Sequence, residues 1–269
     1  MSNNGIHKVT GSTPGATLAV FAGIHGNEKA GILALHKLIE DIQVVSGTVF
    51  FVFANPSAIE QDVRYVHQNL NRLFNRSCSG DTYEFERAHE LMDILDQCDA
   101  LLDLHSYNSE AGEPFVIAES NARDITQKLN VAIVASGFGD MGYGTDDYMY
   151  RNGKIGICLE CGTSNKYMEF VEYAEHAAKQ FLQHFGCIDV CVEDYALSQD
   201  HVKVTKLVKK QTESFTFSDN FYDFEVLPTD RPFIIDGEEL FANPGEVIMF
   251  PRPDVAVGEE VCIVGEFIE

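Results

Sequence analysis

The sequence predicts an α/β fold: a mixed, largely parallel central sheet flanked by helices, followed by a smaller β-rich C-terminal domain. Three observations predict it. Residues 16–22 and 48–54 are apolar strands separated by the helical stretch after Glu28, a βαβ opening that implies a parallel pair. Further apolar strands at 99–106 and 155–160 alternate with stretches at 83–97 and about 165–185, where apolar residues recur at helical spacing. Beyond about residue 195 the texture changes to short strands broken by Asn243-Pro244-Gly245 and Pro251-Arg252-Pro253. The expected division is therefore 1–195 for a catalytic domain and 196–269 for the β-rich one.

In chain order, Val20 to Ala22 runs apolar into a turn where Gly23 and Gly26 permit a tight path, and Leu33, Leu35, Leu38 and Ile39 continue as a helix. From Asn55-Pro56 to Arg76 the chain is polar and irregular, dense in Asn and Arg. His105 closes the strand that begins near Asp99. Phe115 to Ala118 reads as a short strand, followed by a helix capped by Asn121 that ends at Gly137. The stretch Tyr143 to Arg151 reads as a pocket loop, and Glu160 closes the strand before the last long helix. His201 to Val208 alternates as a half-buried strand does, and Glu246 to Phe250 and Glu260 to Val264 are short strands.

The net charge of −23, from 42 acidic against 19 basic residues, argues against a nucleic-acid partner and against an anionic membrane surface. It leaves room for an anionic small molecule, because a few arginines focused in a cleft bind one whatever the total. The first residues lack the apolar core of a signal peptide, and no run of about 18 apolar residues occurs. The expectation is a soluble cytoplasmic protein; seven scattered cysteines suit a reducing compartment. Oligomeric state is left open, a homo-oligomer included.

The chemistry begins at His25-Gly26-Asn27-Glu28. This spacing places an imidazole and a carboxylate on one turn at the carboxyl end of a strand, where open α/β sheets put their sites. His105 ends another strand, and two histidines with one glutamate make a three-ligand set that leaves zinc an open position. One zinc ion per chain is expected. Glu160 is the spare carboxylate, able to take a proton from zinc-bound water and return it to a leaving nitrogen. Blander readings cover much of the rest: His36, His89, His176 and His184 fall on helical stretches as surface or boundary residues. Cys158 and Cys161 lie three apart on an apolar strand, facing opposite ways, which disfavours a four-cysteine zinc site.

The order His25-Gly-Asn-Glu28, Asn55-Pro56, Arg64, Asn71-Arg72, Leu104-His105-Ser106 and a late-strand Glu160 resembles the zinc carboxypeptidase superfamily, and within it the aspartoacylase and succinylglutamate desuccinylase family, over about residues 16–185. The resemblance implies a zinc-carboxypeptidase-like fold in which His25, Glu28 and His105 bind zinc and Glu160 is general base and acid. It also implies that Arg64 polarises the scissile carbonyl and that Asn71 with Arg72 grips a substrate carboxylate, with Arg151 near a further substrate-binding position. A planar guanidinium fork suits that carboxylate, and a cation beside a developing oxyanion lowers the barrier. Such proteins usually carry an aspartate two residues before the Asn-Arg pair. Here it is Asn69, whose amide oxygen is able to accept a histidine hydrogen bond but lacks the charge that strengthens the ligand, so metal affinity is expected to be lower.

The function expected is thus zinc-dependent cleavage of the amide bond of a small N-acyl amino acid, with the C-terminal domain shaping the substrate channel. Two alternatives stay beside it. One is a carboxypeptidase acting on short peptides; the other, motivated by Asn69, is a degenerate zinc-binding module without turnover.

Overall fold

The computed structural model describes residues 3–77, 79–109, 112–140, 144–190, 192 and 198–268. Tyr143 of the expected pocket loop and the expected boundary at 195/196 lie outside the described residues. The chain opens with β1 (Ile6–Thr10), β2 (Thr13–Ala22), α1 (Lys29–Asp41), β3 (Ser46–Phe53) and α2 (Pro56–Gln61). It continues with α3 (Tyr83–Leu95), β4 (Ala100–Tyr107), β5 (Phe115–Ala118), α4 (Arg123–Thr126), β6 (Ile133–Ser136), α5 (Thr145–Arg151), β7 (Ile155–Thr163) and α6 (Tyr167–His184). The last part holds β8 (Asp200–Lys209), β9 (Thr216–Phe217), β10 (Ile234–Asp236), β11 (Glu238–Leu240), β12 (Glu246–Met249) and β13 (Glu260–Ile268).

Ten of these strands form one mixed sheet in the order β1-β3-β2-β4-β7-β5-β6-β8-β13-β12. Its centre, β3-β2-β4-β7, is parallel, as the βαβ opening requires. Alternation along β2 feeds two cores: Leu18, Val20 and Ala22 pack on the α1 and α6 side, whereas Ala19 and Phe21 pack on the side of α3 and α5. Phe21, Phe51 and Phe53 are fully or almost fully buried, each contributing on the order of 1.5–3 kcal/mol relative to exposure. Helices on both faces bury the central strands, so the strands read as continuous apolar runs rather than alternating ones.

The C-terminal strands extend this sheet: β8 runs parallel to β6 and is followed by the antiparallel pairs β8/β13 and β13/β12. The strands β9, β10 and β11 make a separate antiparallel sheet of three. Among the described residues, no helix is long and apolar enough to cross a membrane.

Four local readings differ from the sequence expectation. The stretch 121–137 is a 3-10 turn at Ser120–Ala122, the short α4, and then strand β6. Val131, Ile133 and Val134 are β-branched, and strand partners on both sides, β5 and β8, settle the choice in favour of strand. The segment after Gly144 is helix α5 rather than a loop. Two elements lie where none was read: β1 at the sheet edge and α2 within the polar stretch, the latter capped by the Asn55 side chain accepting from Ala58 N.

Candidate metal centre and its cleft

Three chain segments meet at the carboxyl ends of the parallel strands. β2 ends at Ala22, and the turn that follows delivers His25 and then Glu28, the N-cap of α1. Two close approaches fix that turn. A Cβ on Gly26 would lie 2.1 Å from the carbonyl carbon of Ala58, so only glycine lets the turn press against α2. Similarly, a Cβ on Gly31 would lie 2.6 Å from Leu104 Cβ, so α1 sits close on β4, one residue from His105. His105 and Glu160 are register partners on the adjacent strands β4 and β7. All four side chains are buried, between 3% and 8% exposed.

The geometry within this group points to a cation. His25 Nε2 lies 3.0 Å from Asn69 Oδ1, the same oxygen that accepts Asn71 N, so the amide oxygen faces the ring and His25 donates from Nε2. A neutral His25 then turns its Nδ1 lone pair toward Glu28 Oε1, 2.7 Å away. Two acceptors that close repel unless positive charge lies between them. Glu28 Oε2 is 3.0 Å from His105 Nδ1 and also accepts Ser106 N at 3.1 Å. The imidazoles stand edge to face, with centroids 5.2 Å apart. One donor atom from each of His25, Glu28 and His105 lies within 4.8 Å of the other two. A borderline-soft dication takes this nitrogen and oxygen set readily, so the residues fit zinc.

Charge inside the site follows from burial and neighbours. Burial above all holds His25 below its ordinary value, against the pull of Glu28. Burial also works against a proton on His105, but the Asp103 and Glu28 carboxylates outweigh it and raise His105 well above the usual range. For Glu28, burial is overcome by His25 and His105, which keep it well below the usual carboxylate value. Burial pushes Glu160 up to about 8, with Glu28 adding to the push and His105 opposing it. Glu160 Oε2 has no hydrogen-bond partner among the described residues, an orphaned buried acceptor that costs free energy unless it serves a ligand.

The cleft above this floor has a cavity volume of about 150 Å³. The structure brings Arg64, Asn71 and Arg72 to it together with His25, Glu28, His105 and Glu160. Arg64 Nη1 donates to Glu28 Oε1 at 3.2 Å. Arg72 donates from Nη1 to Asn71 O and from Nη2 to Glu260 Oε2, at 2.9 and 3.0 Å. Arg151 is not brought in: its Nε pairs with Asp147 one helical turn back, 2.7 Å from Oδ2, and its Nη2 donates to Gly139 O. Asp146 of the same helix lines the cleft instead, and burial pushes its carboxyl up to about 6, with Asp103 adding to it.

Several residues of consequence had no role in the sequence reading. Asp103 is fully buried, its Oδ2 3.1 Å from His105 Nε2, an ion-pair distance whose alignment misses that of a hydrogen bond, and it accepts Thr145 Oγ1 at 2.5 Å. The spacing was the available signal, since residues 103 and 105 share a strand face. Glu84 of α3 is buried too and accepts Val66 N at 2.7 Å and His67 N at 3.2 Å, anchoring the loop that carries Arg64 and Arg72. Glu260 of β13 and Arg252 of the loop between β12 and β13 also reach the cleft.

Known proteins agree with this architecture. A family model described as the succinylglutamate desuccinylase/aspartoacylase catalytic domain matches residues 14–185. A succinylglutamate desuccinylase of Pseudomonas aeruginosa is 48% identical over 84 residues, 29% of this chain and only 25% of that protein. One from Vibrio cholerae is 24% identical over 285 residues, 92% of this chain and 79% of that protein. The solved structure of a succinylglutamate desuccinylase from Vibrio parahaemolyticus superposes with a TM-score of 0.82 at 20% identity, covering 98% of this chain and 86% of that one. At that identity the likeness speaks for the fold.

Proposed function

The chain belongs to the succinylglutamate desuccinylase/aspartoacylase family, and from that premise we propose that it is a zinc-dependent hydrolase cleaving the amide bond of a small N-acyl amino acid. The observation that carries the reading is the convergence of His25, Glu28 and His105, with Glu160 in register beside His105 on the next strand. His25 Nδ1, Glu28 and His105 Nδ1 would hold the zinc ion. Bound there, zinc supplies Lewis acidity, polarising a carbonyl oxygen and making water a better nucleophile at neutral pH.

Glu160 takes a proton from the attacking water and passes it to the leaving nitrogen, so the C–N bond breaks to give a carboxylate and a free amine. Arg64, beside Glu28, faces the oxygen on which negative charge develops. Asn71 and Arg72 hold the substrate carboxylate, which fixes the amide over Glu160. Phe250, Arg252 and Ile263 from the C-terminal part also line the cleft, which supports a small acyl amino acid as the substrate. Asp103 and Asn69 orient the two histidines from behind.

The test compares the zinc-loaded protein with its Glu160→Gln variant on N-acetyl and N-succinyl derivatives of aspartate and glutamate. Chelation should abolish turnover and zinc restore it. Glu160→Gln should lower kcat by about 10²–10⁴ while zinc content stays the same. A base must be deprotonated, so kcat/KM of the parent should rise with pH through the Glu160 pKa, and the variant should lose that limb. Turnover that survives Glu160→Gln, or that ignores chelation, refutes the mechanism. Zinc binding without hydrolysis of any of the four acids points to a non-catalytic module.

A further inference from the structure

The C-terminal side of the cleft carries a guanidinium that the proposed chemistry does not use. Arg252 lies between Pro251 and Pro253, whose rings fix φ, and two residues after Phe250, a non-glycine residue at φ 53. Its backbone N donates to Val261 O at 2.7 Å, tying this stiff segment to β13. Arg252 Nη2 donates to the backbone oxygen of Glu260 at 3.1 Å and lies 3.6 Å from Glu260 Oε2. Arg252 Nε is buried and has no hydrogen-bond partner among the described residues.

Glu260 is aimed into the cleft by a break in the strand. In a regular strand, residues 260 and 263 would face opposite sides. The register shift between Glu260 and Cys262 adds a residue there, so Glu260 and Ile263 both line the cleft while Val261 and Cys262 both pack into the core behind. Glu260 Oε2 thereby meets Arg72 Nη2 at 3.0 Å and Arg252 Nη2 at 3.6 Å. Two guanidiniums flank the Glu260 carboxylate; burial opposes the protonation of Arg252 most, Arg64 and Arg72 add to that opposition, and Glu260 and Glu259 work against it. Two guanidiniums lining one cleft, one of them on a proline-fixed backbone, make a site for one further carboxylate.

We propose that Arg252 is a substrate-binding residue, resting on the hydrolase reading above: Glu260 holds Arg252 and Arg72 side by side, and the two guanidiniums receive one carboxylate of the N-acyl amino acid between them. Arg72 then supplies only half of the grip, and the C-terminal segment supplies the rest. The prolines on either side of Arg252 fix the backbone of the C-terminal arm, so that backbone loses little freedom on binding.

The test separates binding from turnover. Zinc-loaded Glu160→Gln protein, with and without Arg252→Gln or Arg252→Lys, is titrated calorimetrically with N-acetyl-L-glutamate and N-succinyl-L-glutamate and with their carboxamides. Arg252→Gln should weaken the acids about tenfold and the carboxamides less than about twofold, and Arg252→Lys should recover part of the loss. In protein with Glu160 intact, Arg252→Gln should raise KM and leave kcat nearly unchanged. Equal weakening of acid and carboxamide, no weakening by Arg252→Gln, or no binding of either acid to the Arg252 protein overturns the proposal. The hydrolase reading fails separately, if protein with Glu160 intact turns over neither acid, and the binding comparison still decides the role of Arg252.

Discussion

His25, Glu28 and His105 stand on strand ends and a helix start whose neighbours are buried, and are themselves 3–4% exposed. Arg64, Arg72 and Arg252 reach the same cleft from loops and a 3-10 turn, with 41%, 42% and 37% of their side chains exposed. The floor is held by short contacts to groups that cannot move without disturbing the sheet; the rim is held by ion pairs that solvent screens, each worth little by itself. A centre that must present the same ligand geometry in every turnover belongs on rigid elements. The part that discriminates between substrates tolerates looser ones, because its work is a difference of affinities. Floor and rim should therefore fail differently when mutated.

The largest effect is expected at the floor. Glu28 touches both imidazoles and Arg64, and it also accepts the backbone N–H of Ser106. Glu28→Gln removes the charge and offers one acceptor where the site uses two. Zinc affinity, measured by competition with a chromophoric chelator, should fall by more than the roughly 10–100-fold that loss of an outer partner costs, and hydrolysis should disappear with it. If Glu28→Gln keeps zinc at parental affinity and loses only KM, the floor is not the metal centre and the contrast between the two regions collapses.

That contrast also marks what could be read from the chain beforehand. β2, β3, β4 and β7 were visible because burial on both faces writes itself as an apolar run, and α1, α3 and α6 because one buried stripe recurs at helical spacing. The meeting of His25, Glu28 and His105 was legible for the same reason, the three being attached to those elements near their ends. β6 was hidden: Leu129, Val131, Ile133 and Val134 are apolar at spacings that suit a helix, and only partner strands decide otherwise. The rim was half legible. Arg64 and Arg72 came with a motif, but the aim of Glu260 depends on a bulge and that of Arg252 on a positive φ at Phe250, and neither leaves a periodic trace. The inclusion of Arg151 overlooked its i, i+4 spacing to Asp147, a helical ion pair that turns it aside.

A middle-sized effect should separate the regions from beneath the rim. The buried Glu84 carboxylate accepts Val66 N and His67 N, and these hydrogen bonds hold it below the ordinary carboxylate range although burial opposes them. It thus fixes the loop that carries Arg64, Asn69, Asn71 and Arg72. Glu84→Gln replaces hydrogen bonds to a charge with neutral ones, a loss of about 1 kcal/mol or more locally. KM should rise about three- to tenfold with zinc affinity within error of the parent, as competition titration and steady-state kinetics would report together. Glu84→Asp, which keeps the charge on a shorter arm, should lie between. An equal fall in zinc affinity would mean that the loop supports the floor as much as the rim.

The smallest change bears on the two histidines themselves, which are braced unequally. Behind His105 stands Asp103, a buried carboxylate 3.1 Å from Nε2; behind His25 stands the neutral amide of Asn69 at 3.0 Å. A carboxylate at ion-pair distance makes the other ring nitrogen a stronger ligand through its charge, whereas an amide only orients the ring. Asn69→Asp keeps the size and the oxygen that Asn71 N requires, so the loop has no reason to move. Zinc should bind up to about tenfold tighter, since the change supplies an outer-shell charge. Turnover should shift less than affinity, because the proton route proposed through Glu160 is left unchanged. Tighter zinc with kcat unchanged would show Asn69 lowering metal affinity without governing the chemistry. Unchanged affinity would mean that His25 is already fully set by its contact with Glu28, and that Asp103 alone supplies the outer charge this centre uses.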